Sequence, residues 1–275
     1  MSYADIVYNQ MCKDIIENGY DDFGYNVRPK WEDGKPAHTY YKYGVVNRYD
    51  LSKEFPIITT RPTNFKKAVD EILWIWQKKS NNIKDLNSNI WDEWADNNGS
   101  IGAAYGHQLR QKHIYKEGEF DQVDRIHYLL KNSPMDRGMI TNIYVHADLH
   151  KMNLRPCAYE TTFVVTGNRL NMTLKQRSSD VLTANNWNVV QYAVLLHMFA
   201  QVHGYEVGEL LHVIDNAHIY DRHIDLVKEQ IERETYDAPT LLINKDIKDF
   251  YEFTVDDFQL INYRHGKQFK IPVAI

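Results

Sequence analysis

The chain has 275 residues, 43% of them hydrophobic and 25% charged, and 32 Lys+Arg against 37 Asp+Glu leave a formal charge of −5. This composition excludes disorder as the main state, and the mild acidity excludes a broad surface for nucleic acid or anionic membrane, though not a local cation cage for a small anion. No apolar run approaches the length of about 18 residues that a membrane span needs, and two cysteines, Cys12 and Cys157, are too few for a disulfide framework or a four-Cys zinc site.

The first residues show no basic segment followed by an apolar core, so no signal peptide is expected and a reducing cytoplasm fits. Tyr3 to Glu17 carries apolar residues at helical spacing and stops at Gly19. Asp21 to Ala37 is turn-rich and contains Arg28-Pro29. Thr39–Tyr49 and Pro56–Thr60 read as strands. Phe65, Ala68, Val69, Ile72, Leu73 and Trp76 form one helical stripe that starts near Thr63 or Asn64, with Glu71 at its edge as a half-buried carboxylate. Ile90 to Tyr105 is aromatic and irregular. Asp121–Lys131 reads as a helix and Met139–Val145 as a strand.

Thr161–Val165 and Leu170–Leu174 read as a hairpin turning at Gly167-Asn168. Antiparallel pairing then sets Val165 opposite Leu170, Phe163 opposite Met172 and Thr161 opposite Leu174. The same register, extended, sets Cys157 opposite Ser178 and beside Arg177. Val189–Val202 is apolar on nearly every side and ends at Gly204, as a buried helix does. A polar helix, Ile224–Glu234, precedes Pro239. Strands follow, and the apolar ending Ile-Pro-Val-Ala-Ile is expected to dock onto the protein. Helices and strands mix without βαβ alternation and no linker divides the chain, which predicts a single α+β domain over residues 1–275.

Four features carry chemistry. A lone Cys is ordinarily a small buried hydrophobe, but a neighbouring guanidinium favours the thiolate, and the hairpin register supplies Arg177 to Cys157. Arg177 and Ser178 at a strand end can hold a phosphate, the bland alternative being a surface ion pair with Asp180. His218 and Tyr220 alternate on a strand and face one ligand or one core. His146/His150 and His218/His223 have metal-like spacings but lack the Glu of a zinc-hydrolase motif, so no metal is expected. No Walker motif, nucleophile elbow or dinucleotide fingerprint is present.

Taken in order, several motifs resemble the thymidylate synthase family. They are Phe55-Pro56 with Thr59-Thr60, Glu71-Ile72-Leu73-Trp74, Ile90-Trp91-Asp92-Glu93-Trp94, Tyr105-Gly106 and Arg155-Pro156-Cys157. Gln176-Arg177-Ser178-x-Asp180, Asn188, His218-Ile219-Tyr220 and the closing Pro-Val-Ala-Ile complete the match. The resemblance implies a large mixed β-sheet packed by helices, with sheets meeting face to face in a homodimer. It implies reductive methylation of dUMP to dTMP, with 5,10-methylenetetrahydrofolate as co-substrate and no metal. Cys157 is then the nucleophile, with Glu71, Arg177 and Tyr105 as further catalytic groups. Arg28, Arg177 and Ser178 hold the phosphate together with Arg137 from the partner subunit. Asn188 reads the uracil, Asp180 lies beside it, and His218 and Tyr220 hold the ribose. Ile90, Trp91, Leu154, Asp180, Ala274 and Ile275 are the implied folate contacts. No membrane or DNA partner is implied.

The chain also departs from the family pattern. Gly138 stands where a second Arg is common, Asn216 where an Asp is common, Ala158 where a His is frequent and Pro62 where a basic residue is frequent. Thr183-Ala184-Asn185-Asn186-Trp187 replaces the usual Leu-Gly-x-Pro-Phe. Two alternatives accompany the main reading: a dUMP or dCMP hydroxymethylase and a noncatalytic RNA-binding relative. Asn188 argues against a cytosine substrate, and the joint presence of Cys157, Arg177, Glu71 and Asn188 argues against loss of catalysis.

Overall fold

A computed structural model describes residues 1–274. Helix α1 (Tyr3–Asn18) buries Ala4, Tyr8, Met11, Cys12 and Ile15 on one stripe. It stops at Gly19, where a side chain would strike the Ile15 carbonyl oxygen at 2.3 Å. The short β1 (Tyr20–Asp21) and the long β2 (Thr39–Asp50) follow. Helix α2 (Phe65–Trp76) begins where the sequence predicts, because the Asn64 side chain accepts the Lys67 N–H. A short helix α3 (Gly106–Leu109) and a small hairpin of β3 (His113–Tyr115) and β4 (Gly118–Phe120) lead to α4 (Gln122–Asn132), capped by Asp121.

The main sheet is completed by β5 (Ile140–Asn142), β6 (Ala158–Thr166), β7 (Arg169–Gln176), β8 (Ser179–Asp180) and β9 (Glu206–Tyr220). Its seven strands run in the order β1-β2-β9-β7-β6-β5, with β8 beside β9. β7 and β8 lie parallel to β9, and the remaining pairs are antiparallel, so the sheet is mixed. A parallel pair needs a crossover. Here it carries α5 (Asn186–His203), apolar on all sides and ended by Gly204 at φ 73°. Helix α6 (Ile224–Ile231) and the hairpin of β10 (Thr240–Ile243) and β11 (Phe258–Ile261) close the chain.

Alternation gives the sheet two unlike faces. Phe163, Val165, Leu170, Met172, Leu174, Leu210 and Ile214 point into the helices and are buried. The other face carries Thr162, Val164, Thr173, Leu211 and Val213, none of them buried, and Val46 and Val164 are 58% and 47% exposed. No helix among the described residues is long and apolar enough to cross a membrane.

The hairpin register is the expected one for Val165/Leu170, Phe163/Met172 and Thr161/Leu174. It changes near its base. Tyr159 bulges out, Ala158 pairs with Gln176, and the Arg177 N–H donates to the Cys157 carbonyl at 3.0 Å. Cys157 therefore faces Arg177 directly, not Ser178. Three element bounds also differ from the sequence reading. Met139–Val145 pairs only over β5, and the polar helix ends at Ile231. Pro56–Thr60 is extended but joins no ladder. Side chains replace the missing strand: Asn186 Oδ1 accepts from the Ile58 N–H at 3.2 Å, and Asp5 Oδ1 from the Thr59 N–H at 2.8 Å.

Asp5→Ala leaves the buried Thr59 N–H and hydroxyl without an acceptor. We expect a loss of about 2 kcal/mol, seen as a fall of several degrees in Tm, whereas an unchanged Tm would show that the segment is held by other contacts.

Candidate active site

Cys157 lies just before β6, at the foot of the hairpin, and three constraints fix it. Its carbonyl accepts from Arg177. Its N–H donates to the Tyr105 hydroxyl at 3.2 Å. The Arg177 guanidinium wraps the preceding turn, giving Nε to the Pro156 carbonyl and Nη2 to the Arg155 carbonyl, both at 3.0 Å, and leaves Nη2 3.7 Å from Sγ. Tyr105 is itself held in an uncommon backbone conformation, φ 49°. The next residue must be glycine, since a Cβ on Gly106 would sit 2.3 Å from the Ser80 carbonyl oxygen.

Burial pushes the Cys157 pKa up, and the opposing pull of Arg177 and then Arg28 only partly offsets it. Arg177 pulls toward the thiolate, as the sequence predicts, and burial opposes it. Cys12 also feels a cation, Arg61, but burial outweighs it. Its thiol is fully buried under α1 and is pushed up to about 12 by that burial.

The anion-binding groups assemble in part. Arg177 and Ser178 are consecutive, and Arg28, exposed on the turn-rich loop, is near enough for its charge to act on both Cys157 and Tyr220. Arg137 does not join them. The Phe163 N–H donates to the Met139 carbonyl at 2.9 Å, so Arg137 stands abreast of the far half of β6. Six residues of strand separate Phe163 from Cys157, roughly 20 Å at ~3.3 Å per residue. At Gly138, where the second Arg is missing, the carbonyl accepts from Arg125 at 2.9 Å.

Asn188, on the first turn of α5, has a fixed amide. Its Oδ1 accepts from Gln176 Nε2 and its Nδ2 donates to Gln191 Oε1, both at 3.0 Å. Behind it, the Gln176 amide oxygen accepts from His212 Nε2, which sets that tautomer. Burial pulls His212 down to about 3, so the ring is neutral. Neither glutamine was assigned a role from the sequence. Both carry a visible signal: Gln176 is the one polar residue in the inward row 170, 172, 174, 176 of β7, and Gln191 is a polar residue set between the apolar Val190 and Tyr192 of α5.

His218 and Tyr220 do share a face of β9, with ring centroids 5.2 Å apart. Asn216 Oδ1 accepts from His218 Nδ1 at 3.0 Å, leaving Nε2 as the free acceptor. Burial draws the His218 pKa down.

Glu71 is fully buried, not half-buried, at 6% exposure. Trp91 donates its indole N–H to Oε1 at 2.9 Å and Trp187 donates to Oε2 at 2.6 Å. Burial raises the carboxyl to about 7 against the pull of the two indoles. Trp91 also packs edge-on to Tyr105, with centroids 5.0 Å apart, and so links Glu71 to the turn that holds Cys157. Asp180 directs its oxygens inward: Oδ1 accepts from the Leu182 and Thr183 N–H groups at 3.1 and 3.3 Å, and Oδ2 from the Thr183 hydroxyl. His223 Nδ1 stands 4.0 Å from Asp180, and its Nε2 donates to the Pro272 carbonyl at 2.8 Å. That bond docks the C-terminal tail at this corner. Ile90 and Leu154 are half-buried and pack against the core, and Ala274 is half-buried. Ile275 lies outside the described residues. Among the described residues no three His, Cys, Asp or Glu side chains converge to hold a metal ion.

The thymidylate synthase family model matches residues 6–275. The chain belongs to the thymidylate synthase family. It is 48% identical to a thymidylate synthase of Bacillus subtilis subsp. natto and 48% identical to that of Bacillus phage phi3T, in each case over 100% of both chains. Its fold matches the solved structure of thermostable thymidylate synthase A from Bacillus subtilis with a TM-score of 0.96, at 46% identity and 100% coverage of both chains. Membership makes the chain a methyltransferase. The synthase names of these relatives favour synthesis over the hydroxymethylase and RNA-binding alternatives.

In this thymidylate synthase family member the two thiols differ enough to be separated chemically. We expect iodoacetamide to label one cysteine per native chain, located at Cys157 by peptide mass, and both only after unfolding. Equal labelling of Cys12 in the native state would contradict its burial.

Proposed function

We propose that the chain converts dUMP to dTMP, taking the one-carbon unit and a hydride from 5,10-methylenetetrahydrofolate and releasing dihydrofolate, as a cytoplasmic homodimer. The observation that carries the reading is the placement of a cation-flanked thiol next to a carboxamide of fixed direction. Gln176 pairs with Ala158, the residue after Cys157, and holds Asn188 by its side chain.

C5 of uracil is a weak nucleophile. Addition of the Cys157 sulfur to C6 forms the S–C6 bond and moves the C5–C6 π pair toward O4, which makes C5 nucleophilic. The thiol proton must leave first, and Arg177, 3.7 Å from Sγ, is the cation that stabilises the resulting thiolate. Asn188 presents an amide oxygen and an N–H₂ to the N3–H and O4 edge of a uracil. Arg28, Arg177 and Ser178 take the 5′-phosphate, while His218 and Tyr220 take the ribose hydroxyl. Glu71, with a pKa near the working pH, exchanges a proton with water at the pyrimidine.

The residues fit a flat, reduced pterin. Trp91, Ile90 and Leu154 supply its apolar contacts, and closure of the tail that His223 holds excludes water. When bound, that group supplies the carbon and the hydride. Asp180 stands at its edge. The uncovered sheet face, with Val46 and Val164 exposed, suits pairing with a second copy. Arg137, far from its own thiol, then completes the phosphate site of the other subunit.

Turnover of dUMP with methylenetetrahydrofolate should give dTMP and one dihydrofolate per cycle. A hydroxymethyl product with recovered tetrahydrofolate would overturn the proposal. Cys157→Ser should abolish turnover while dUMP still binds.

The dimer is tested by mixing two inactive variants, Cys157→Ser and Arg137→Glu. Subunit exchange should restore roughly a quarter of wild-type activity, because each hybrid holds one intact site. No recovery after proven exchange would show that Arg137 does not act across the interface, and an Arg137→Glu variant active on its own would place Arg137 outside the site.

A further inference from the structure

Trp187 lies in the stretch Thr183–Trp187, where the chain departs from the family pattern, and has no role in the site as expected from the sequence. It donates to one oxygen of Glu71 while Trp91 donates to the other. The indole is not free to drift. Asp180 caps the π-helical turn Val181–Asn185 that feeds α5. The neighbouring Asn186 side chain is pinned by three bonds: to the Pro56 carbonyl at 3.1 Å, from the Ile58 N–H at 3.2 Å and from the Thr63 hydroxyl at 3.0 Å. Trp187 is thus fixed from behind, and Asn188 follows it immediately.

The surroundings of Glu71 leave the indoles as its principal stabilisers. The ionisable groups that act on it or feel its charge are Asp70, Tyr105 and Tyr192, none of them a cation. Asp70 is occupied by the Asn87 N–H at 2.7 Å and Asn87 Nδ2 at 3.2 Å, and burial keeps both tyrosines protonated. The Gln191 carboxamide lies alongside and acts in the same sense as the indoles. A buried carboxyl with no donors stays protonated, whereas N–H donors on both oxygens favour the anion. One indole sits on each oxygen, so both oxygens are held by a donor.

We propose that Trp187 is a positioning residue that sets the direction and the protonation equilibrium of Glu71, so that one turn of α5 controls proton transfer through Trp187 and pyrimidine reading through Asn188. The proposal rests on the proposed dTMP synthesis for the role of Glu71, but the bond itself is readable without turnover.

Trp187→Phe keeps an aromatic ring and removes the N–H. The carboxylate loses a donor, so its pKa rises. In the full-length enzyme the limb of the kcat/KM–pH profile near pH 7 should move up by about one unit, with the dUMP dissociation constant unchanged. A profile that does not move in a folded variant overturns the proposal. Should the variant fail to fold, the wild-type protein labelled with nitrogen-15 tryptophan decides. Two indole N–H resonances should titrate together near neutral pH, and both should cease to do so in Glu71→Gln. One titrating resonance, or none, overturns the proposal. Wild-type protein that shows both titrations yet makes no dTMP would instead overturn the proposed function alone.

Discussion

The site depends on a bulge of one residue. Had β6 and β7 kept their register to the end, Cys157 would face Ser178, and the Arg177 side chain would leave the opposite face of the sheet, because a slip of one residue reverses every side chain. Tyr159 absorbs the difference. Arg177 then pairs with Cys157 through the backbone and wraps the Arg155–Pro156 carbonyls with its side chain. One irregularity thereby gives the sulfur its cation. It also ends the ladder where Ser178 and β8 must turn toward β9 and bring Asp180 abreast of His218.

Burial opposes charge throughout this corner. Cys157 is pushed toward the thiol, Glu71 toward the neutral acid, and His212 and His218 toward the neutral ring, each with burial as the largest cause. A site in which every group is moved toward neutrality is poised for proton movement, not for holding fixed charge. The cations of this corner are the guanidiniums of Arg28 and Arg177. The phosphate of the proposed substrate would therefore meet a pair of guanidiniums, although the chain as a whole is acidic. Its neutral His212 cannot compete for that anion. It serves through its tautomer, which passes along Gln176 to orient Asn188.

Much of this was legible in the sequence, and the division has a physical basis. Period and turn chemistry are local, so the stripe of α2, the all-apolar α5 and the Gly167-Asn168 hairpin were readable within a residue or two. Counting along the hairpin brought Arg177 beside Cys157 but set Ser178 opposite it, because the bulge at Tyr159 has no local signature. What escaped depends on distant parts of the chain. Pro56–Thr60 has strand composition, yet its partners are side chains of Asp5 and Asn186. Glu71 sits at the edge of its own stripe and looks half-exposed until Trp91 and Trp187 close over it. The family resemblance named the reacting groups but gave no place to Trp187, because that position differs from the family pattern.

The distance between Arg137 and Cys157 ties the fold to the proposed chemistry. Both are attached to the same strand neighbourhood, β5–β6, yet the rigid rise of that strand keeps them far apart in one chain. No side-chain rotation closes such a gap, since an extended Arg reaches only a fraction of it. An arginine fixed so far from its own thiol either has no part in the site or serves another one. The proposed assembly takes the second of these, with the uncovered sheet face as its seam. That face lies on the reverse of the strands that carry the site, so a second copy seated there brings its own β5 edge along with it. Under that proposal the outward alternation that leaves Val46 and Val164 exposed and the position of Arg137 become one constraint: the face that is incomplete as packing would also be the face across which the phosphate site is completed.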